Sequence, residues 1–249
     1  MNADNTRAAD QGLAGIHILI TGAIMFGEFL WFSSSAWLSV ETYAVTAYSD
    51  TDNFQMLLFQ TSRLTLALLY LYYVAGWSIR RLSWGITVYA TLLGIPIFLA
   101  LGLGQDLVAI VLDGLQGAPP NPTEGTAPSP EDVPVATQLV APATAGGWLL
   151  TIGYALLNGV YEELFLVGIV LAVRQDWRVA AMVASVLVRA GFHTYQGLDI
   201  AFTMALLGAA MFALYRLIGK LWPLMVAHGI ADIVGLSVIG LVYGILGES

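Results

Sequence analysis

Seven stretches of this 249-residue chain are apolar over about the ~20 residues a helix needs to cross a bilayer: 14–39, 54–76, 83–104, 146–173, 178–195, 199–219 and 222–246. Composition agrees with that reading. Hydrophobic residues make up 58% of the chain and charged residues 10%, against about 25% charged in an average soluble domain. Too few polar side chains exist to coat a water-soluble globule of this size. A mean hydropathy of +0.77 points the same way. The expected fold class is therefore all-α, a polytopic transmembrane helical bundle of about seven spans, integral to the cell membrane and in contact with membrane lipid. Of these stretches 178–195 is the shortest, and 146–173 is long enough to tilt or extend past the lipid.

Charge narrows the function classes and orients the chain. A formal net charge of −8 with nine Lys and Arg leaves no basic face for nucleic acid. The absence of cysteine removes disulfide frameworks, zinc ribbons and thiol catalysis together. The first twelve residues are polar, and the apolar stretch after them is long and interrupted by Glu28, which is unlike a cleavable signal peptide. Basic residues gather in short cytoplasmic connections, and here they fall on one side of the alternation: Arg7, Arg80, Arg81, Arg174, Arg178, Arg216 and Lys220. Carboxylates fill the other side, among them Glu41, Asp50, Asp52, Asp106, Asp113, Asp199 and Glu248. This sorting predicts a cytoplasmic N-terminus and an external C-terminus. Residues 116–145 hold seven of the nine prolines and no basic residue, a composition expected to form an extended external loop. It divides the chain into an N-terminal three-helix part, 1–115, and a C-terminal four-helix part, 146–249.

Ionisable side chains inside spans carry the functional information. A charged residue at the bilayer centre costs about 2.5–3.5 kcal/mol on insertion scales, so each must face the bundle and find partners. Apart from histidines these are Glu28, Arg63, Glu162, Glu163, Arg189 and Asp232, and four of the six lie in the C-terminal part together with His193 and His228. Glu28 and Arg63 are expected to pair across the first two helices. Glu162 and Glu163 are adjacent and so point about 100° apart; one can do chemistry while the other anchors a neighbouring helix. Burial and like charge disfavour double ionisation of such a pair, so one of them can take a proton from water. Arg189 and His193 stand at i and i+4, one helical turn apart on a shared face. His228 and Asp232 repeat that spacing, which serves a ligand or a tie between helices equally well. At ~1.5 Å per residue His193 lies roughly 22 Å from Arg178, but Glu163 only roughly 16 Å from Arg174 and His228 roughly 9 Å from Trp222. Tilt, or a fifth helix that begins in the cytoplasm, must bring His193 level with the others. His17 and the cluster Tyr70, Tyr72, Tyr73 and Trp77 are read as interfacial, and Gly208 as helix-packing material.

The order of these residues resembles the CAAX protease and bacteriocin-processing (CPBP, abortive-infection) family of intramembrane endopeptidases, over about residues 146–240. That family carries Glu-Glu-x-x-x-Arg, then Phe-x-x-x-His, then His-x-x-x-Asn or Asp. The first motif aligns on Glu162 and Glu163 but has Val167 at its arginine position. The second aligns on His193 with Arg189 in place of phenylalanine, and the third on His228 and Asp232. The resemblance implies a CAAX prenyl protease-type enzyme that cleaves a peptide or lipidated protein near the membrane surface. Glu162 with His193 would activate water, while His228 and Asp232 would hold the oxyanion or a metal. A divalent metal such as zinc, held by Glu162, His193 and His228, and a purely glutamate-driven attack both match this pattern.

Two other classes compete. Buried Glu, His and Asp also build proton-coupled transporters, although the repeated halves usual there are not evident. The missing motif arginine is the mark of an inactive immunity or scaffold relative. One arginine lost at Val167 and one gained at Arg189 imply instead that the fifth helix supplies the cation. Val167→Arg combined with Arg189→Phe is then expected to retain peptide cleavage while Arg189→Phe alone loses it; equal loss in both would dispose of the relocation.

Overall fold

A computed structural model describes residues 12–38, 50–116 and 145–247. The described elements are helices: α1 Gly15–Leu38, α2 Asp50–Tyr73, α3 Val88–Gln116, α4 Ala145–Glu163, α5 Arg178–Gly191, α6 Leu198–Ile218, α7 Trp222–Val234 and α8 Val238–Gly247. Four are long and apolar enough to cross a membrane, namely α1, α3, α4 with its continuation to Ile169, and α6. A helical membrane bundle is thus the fold. The Pro-rich loop expected at 116–145 falls almost wholly at 117–144, outside the described residues.

Three expectations about span boundaries change. The stretch 222–246 is two helices, because Gly235 takes a φ of +85°, a conformation that glycine adopts without steric cost. The stretch 178–195 yields the 14-residue α5, about 21 Å long and short of a ~30 Å hydrocarbon core. Helix α3 runs on to Gln116, so Asp106, expected in an external loop, is only 8% exposed inside the bundle. There its Oδ2 accepts the Ile239 N–H at 2.9 Å, satisfying one of the backbone donors that the first turn of α8 leaves free. Asp50 and Asp52 occupy the first turn of α2, where negative charge suits the helix dipole.

One apolar core runs through both parts of the chain, joining Met25 and Phe26 of α1 and Leu71 of α2 to Tyr161 of α4 and Met225 of α7. The Phe26 ring lies 5.3 Å from Tyr161, 5.4 Å from Phe165 and 5.3 Å from Phe192, and the Tyr161 hydroxyl donates to the Met25 carbonyl. Glu28 and Arg63 pair across α1 and α2 as expected. The His17 ring bonds the Tyr70 hydroxyl at 2.9 Å; Tyr72 and Tyr73 are exposed, whereas Trp77, read as part of the same belt, is buried in the core. The basic connections meet at one end. Leu13 bridges Val173, the Leu221 and Trp222 N–H groups donate to Ser83 and Trp84 carbonyls, and a cavity there is lined by His17, Arg81 and Arg174.

Helices α4 and α7 form the most extensive contact in the bundle. Their backbones nearly touch: a Cβ on Gly159 would lie 2.5 Å from the Met225 carbonyl oxygen, and one on Gly229 would lie 3.2 Å from the Ala155 oxygen. Small residues permit such approach between membrane helices, and here they set the separation of the faces that carry the polar residues. Gly159→Ala is expected to destabilise by about 1–3 kcal/mol through overpacking. Gly153→Ala, whose Cβ would meet nothing closer than a Leu57 methyl at 4.0 Å, is expected to be neutral or to stabilise by up to ~1 kcal/mol. Unfolding of the detergent-solubilised protein compares the two.

Candidate active site

Helix α4 ends on Glu162 and Glu163, and the six residues after it, Leu164–Ile169, form a π-helix in which every residue is buried. Such segments are rare and gather at functional sites. The wider turn is braced from α5, where the buried Ser185 hydroxyl donates to the Leu166 carbonyl at 2.6 Å. Val167, at the family's arginine position, is 1% exposed in the apolar core.

The two glutamates take different partners, as their angular separation requires. Arg189 Nη2 donates to Glu163 Oε1 at 2.6 Å, with the side chains 2% and 0% exposed. The same oxygen lies 2.7 Å from His228 Nδ1. A carboxylate engaged by a guanidinium acts as an acceptor, so His228 Nδ1 is the donor and its Nε2 is directed elsewhere. Nε2 lies 3.8 Å from Glu162 Oε2 and 3.7 Å from Asp232 Oδ1. Asp232 therefore does not orient His228 through Nδ1; Glu163 does. Gly208 is more than packing material: a Cβ there would lie 3.3 Å from Arg189 Cδ, so its bare backbone makes room for the arginine to pass α6.

Asn158, one turn before Glu162, was not among the expected site residues. Its Nδ2 donates to Asp232 Oδ2 at 2.8 Å and to Glu162 Oε1 at 3.3 Å, and its Oδ1 accepts from Gln60 Nε2 of α2 at 2.6 Å. The signal was present in the sequence as uncharged amides inside apolar spans, which a search restricted to ionisable groups passes over.

His193 departs from its predicted place. Helix α5 stops at Gly191, so His193 lies in the connection that follows, ahead of a 3-10 turn at Thr194–Gln196. Arg189 and His193 do not share a helical face. The turn is held by fully buried Ser33 of α1, whose Oγ accepts the Tyr195 N–H at 3.0 Å and lies 2.9 Å from Thr194 Oγ1. His193 Nδ1 lies 3.1 Å from Gln196 Oε1. Despite this shift, one cavity of about 190 Å³ is lined by Asn158, Glu162, Arg189, His193, His228 and Asp232. Gln196 also lines it, and the rest of its wall is apolar, with Phe98, Leu101, Met204 and Leu207.

The metal set Glu162, His193 and His228 is not assembled. A zinc site needs at least three side-chain ligands about 2 Å from one point, and among the described residues no three His, Cys, Asp or Glu side chains could hold a metal ion. The residues present do not fit a bound divalent cation.

Residues 144–234 match the family model described as type II CAAX prenyl endopeptidase Rce1-like. This segment is a CAAX protease family domain. It runs from the start of α4 to the end of α7, and the four long apolar helices make the chain an integral membrane protein. No curated protein and no solved structure matches the chain. Glu162, Glu163, Arg189, His193, His228 and Asp232 all fall inside the CAAX protease domain, and Ser33 and Gln60 fall outside it.

The buried Glu163–Arg189 pair makes a quantitative prediction. Arg189→Met strands a carboxylate inside the bundle and should cost about 3–5 kcal/mol. Adding Glu163→Gln removes the stranded charge and should recover most of that loss, read as unfolding midpoints in detergent.

Proposed function

We propose that the protein is an endopeptidase that hydrolyses a peptide bond of a membrane-associated peptide or lipidated protein, with Glu162 as the general base. One observation carries this reading: Glu162 and His228 Nε2 line the same cavity at 3.8 Å, beyond hydrogen-bond length, while Nδ1 is anchored on Glu163. Neither group is spent on the other. The match to the Rce1-like family supports the same reaction class.

Glu162 takes a proton from water as its oxygen attacks the carbonyl carbon, and the C=O electron pair moves onto oxygen. His228 Nε2–H donates to that oxyanion, the electrostatic assistance that contributes most in acyl transfer. Glu163 at Nδ1, with Asp232 near Nε2, supplies the counter-charge for a ring carrying both protons. His193, with Nδ1 directed to Gln196, presents its other nitrogen to the attacking water. Collapse of the tetrahedral adduct breaks the C–N bond as Glu162 returns its proton to the leaving nitrogen. The apolar wall beside these groups suits a hydrophobic substrate segment.

Arg189 takes the part of the cation that the family places on the preceding helix, and its pairing with Glu163 favours an active enzyme over an inactive relative. The N-terminus is proposed to be cytoplasmic and the C-terminus external, since Arg81, Arg174 and Lys220 belong to connections that meet at one end of the bundle, and residues 116–145 are proposed as an external linker between the two parts. Glu162→Ala and His228→Ala should each lower kcat by about 10²–10⁴, and Glu163→Ala should fall with them, on a panel of lipidated and unlipidated peptides. Wild-type cleavage that survives all three substitutions would overturn the site, and transport without proteolysis would overturn the activity.

A further inference from the structure

Gln60 lies on α2, outside the CAAX protease domain, and is 2% exposed. Only one end of its amide is used: Nε2 donates to Asn158 Oδ1 at 2.6 Å, and Oε1 has no hydrogen-bond partner among the described residues. A buried polar group left half satisfied is a liability for stability, so packing alone does not account for a glutamine here.

The bond has a consequence for the partner. An asparagine amide is an acceptor at one end and a donor at the other. With Oδ1 committed to Gln60, Nδ2 faces the opposite way, toward Asp232 Oδ2 at 2.8 Å and Glu162 Oε1 at 3.3 Å. Turned over, Asn158 would put its oxygen against two carboxyl groups, an arrangement that low dielectric makes more unfavourable. Asn158 and Glu162 are also one helical turn apart on α4, whereas Asp232 comes from α7, so this single amide sets the spacing of two carboxyl groups on different helices.

We infer that Gln60 is a positioning residue: by fixing the polarity of Asn158 it makes that amide clamp Glu162 and Asp232 on one side of the cavity. The N-terminal helices then complete a site whose reacting groups lie in the CAAX protease domain. This rests on the reading of Glu162 as the base, and the test separates the two.

The full chain in lipid vesicles is compared with Gln60→Met, which keeps length and apolar volume but has no donor, and with Gln60→Glu, which offers an acceptor in its place. Two measurements decide. Infrared difference spectra on titration isolate the Glu162 and Asp232 carboxyl bands, assigned with Glu162→Gln and Asp232→Asn. Both Gln60 variants are expected to shift those bands, and Gln60→Glu to shift them further. Peptide cleavage by Gln60→Met should show kcat about 10- to 100-fold lower, as misplacement of a reacting group does, with KM near wild type and the unfolding midpoint unchanged or higher. Bands coincident with wild type, or a lower midpoint with kcat preserved, would overturn the inference and leave Gln60 a structural tie. If the wild type cleaves nothing, the proposed activity fails, while the infrared comparison still decides whether Gln60 positions the carboxyl groups.

Discussion

The carboxylate of Glu163 holds three helices at once. It is fully buried on α4, it pairs with Arg189 of α5, and it receives Nδ1 of His228 from α7. A buried charge of this kind is tolerated only with close partners, and removing one partner is far more damaging than replacing the whole set by apolar groups. The arrangement therefore fixes which faces of α4, α5 and α7 meet. Much nearby packing serves it: Gly208 leaves space for the arginine stem, and Gly159 and Gly229 bring α4 and α7 close enough for a histidine on one to reach a glutamate on the other.

With Glu163 committed to structure, Glu162 is free for the cavity. The adjacency of the two makes this division unavoidable, because neighbouring residues on a helix cannot aim at the same point. The π-helix that starts immediately after them gives the following residues a wider turn and puts Val167 into apolar contacts. The Glu163 carboxylate receives an arginine from α5, across the helix interface.

The segment recognisable as a CAAX protease domain is not the whole of the site. Ser33 of α1 holds the turn that follows His193, and Gln60 of α2 holds Asn158. Polar side chains in lipid-facing helices must find partners inside the bundle, and these two find theirs on the elements that carry the candidate catalytic groups. An apolar core shared by α1, α2, α4 and α7 makes the N-terminal helices part of the same packed unit.

Helical class and membrane character were readable from apolar segment length, since lipid imposes a fixed span and leaves no alternative to helices. The candidate residues were readable for a related reason: ionisable groups in apolar segments are too costly to occur idly, so Glu162, Glu163, Arg189, His193, His228 and Asp232 stood out before any fold was known. Hydropathy could not show where helices stop inside apolar stretches, because glycine φ angles and turns such as 192–197 leave hydropathy unchanged. It therefore merged α7 with α8 and put His193 on a helix that ends two residues earlier. The allocation of partners lay further out of reach. That Glu163 rather than Asp232 holds His228, and that an amide pair from Gln60 and Asn158 reaches both carboxyl groups, depends on contacts between residues up to 98 positions apart in the chain, which only the packing of helices against one another brings about.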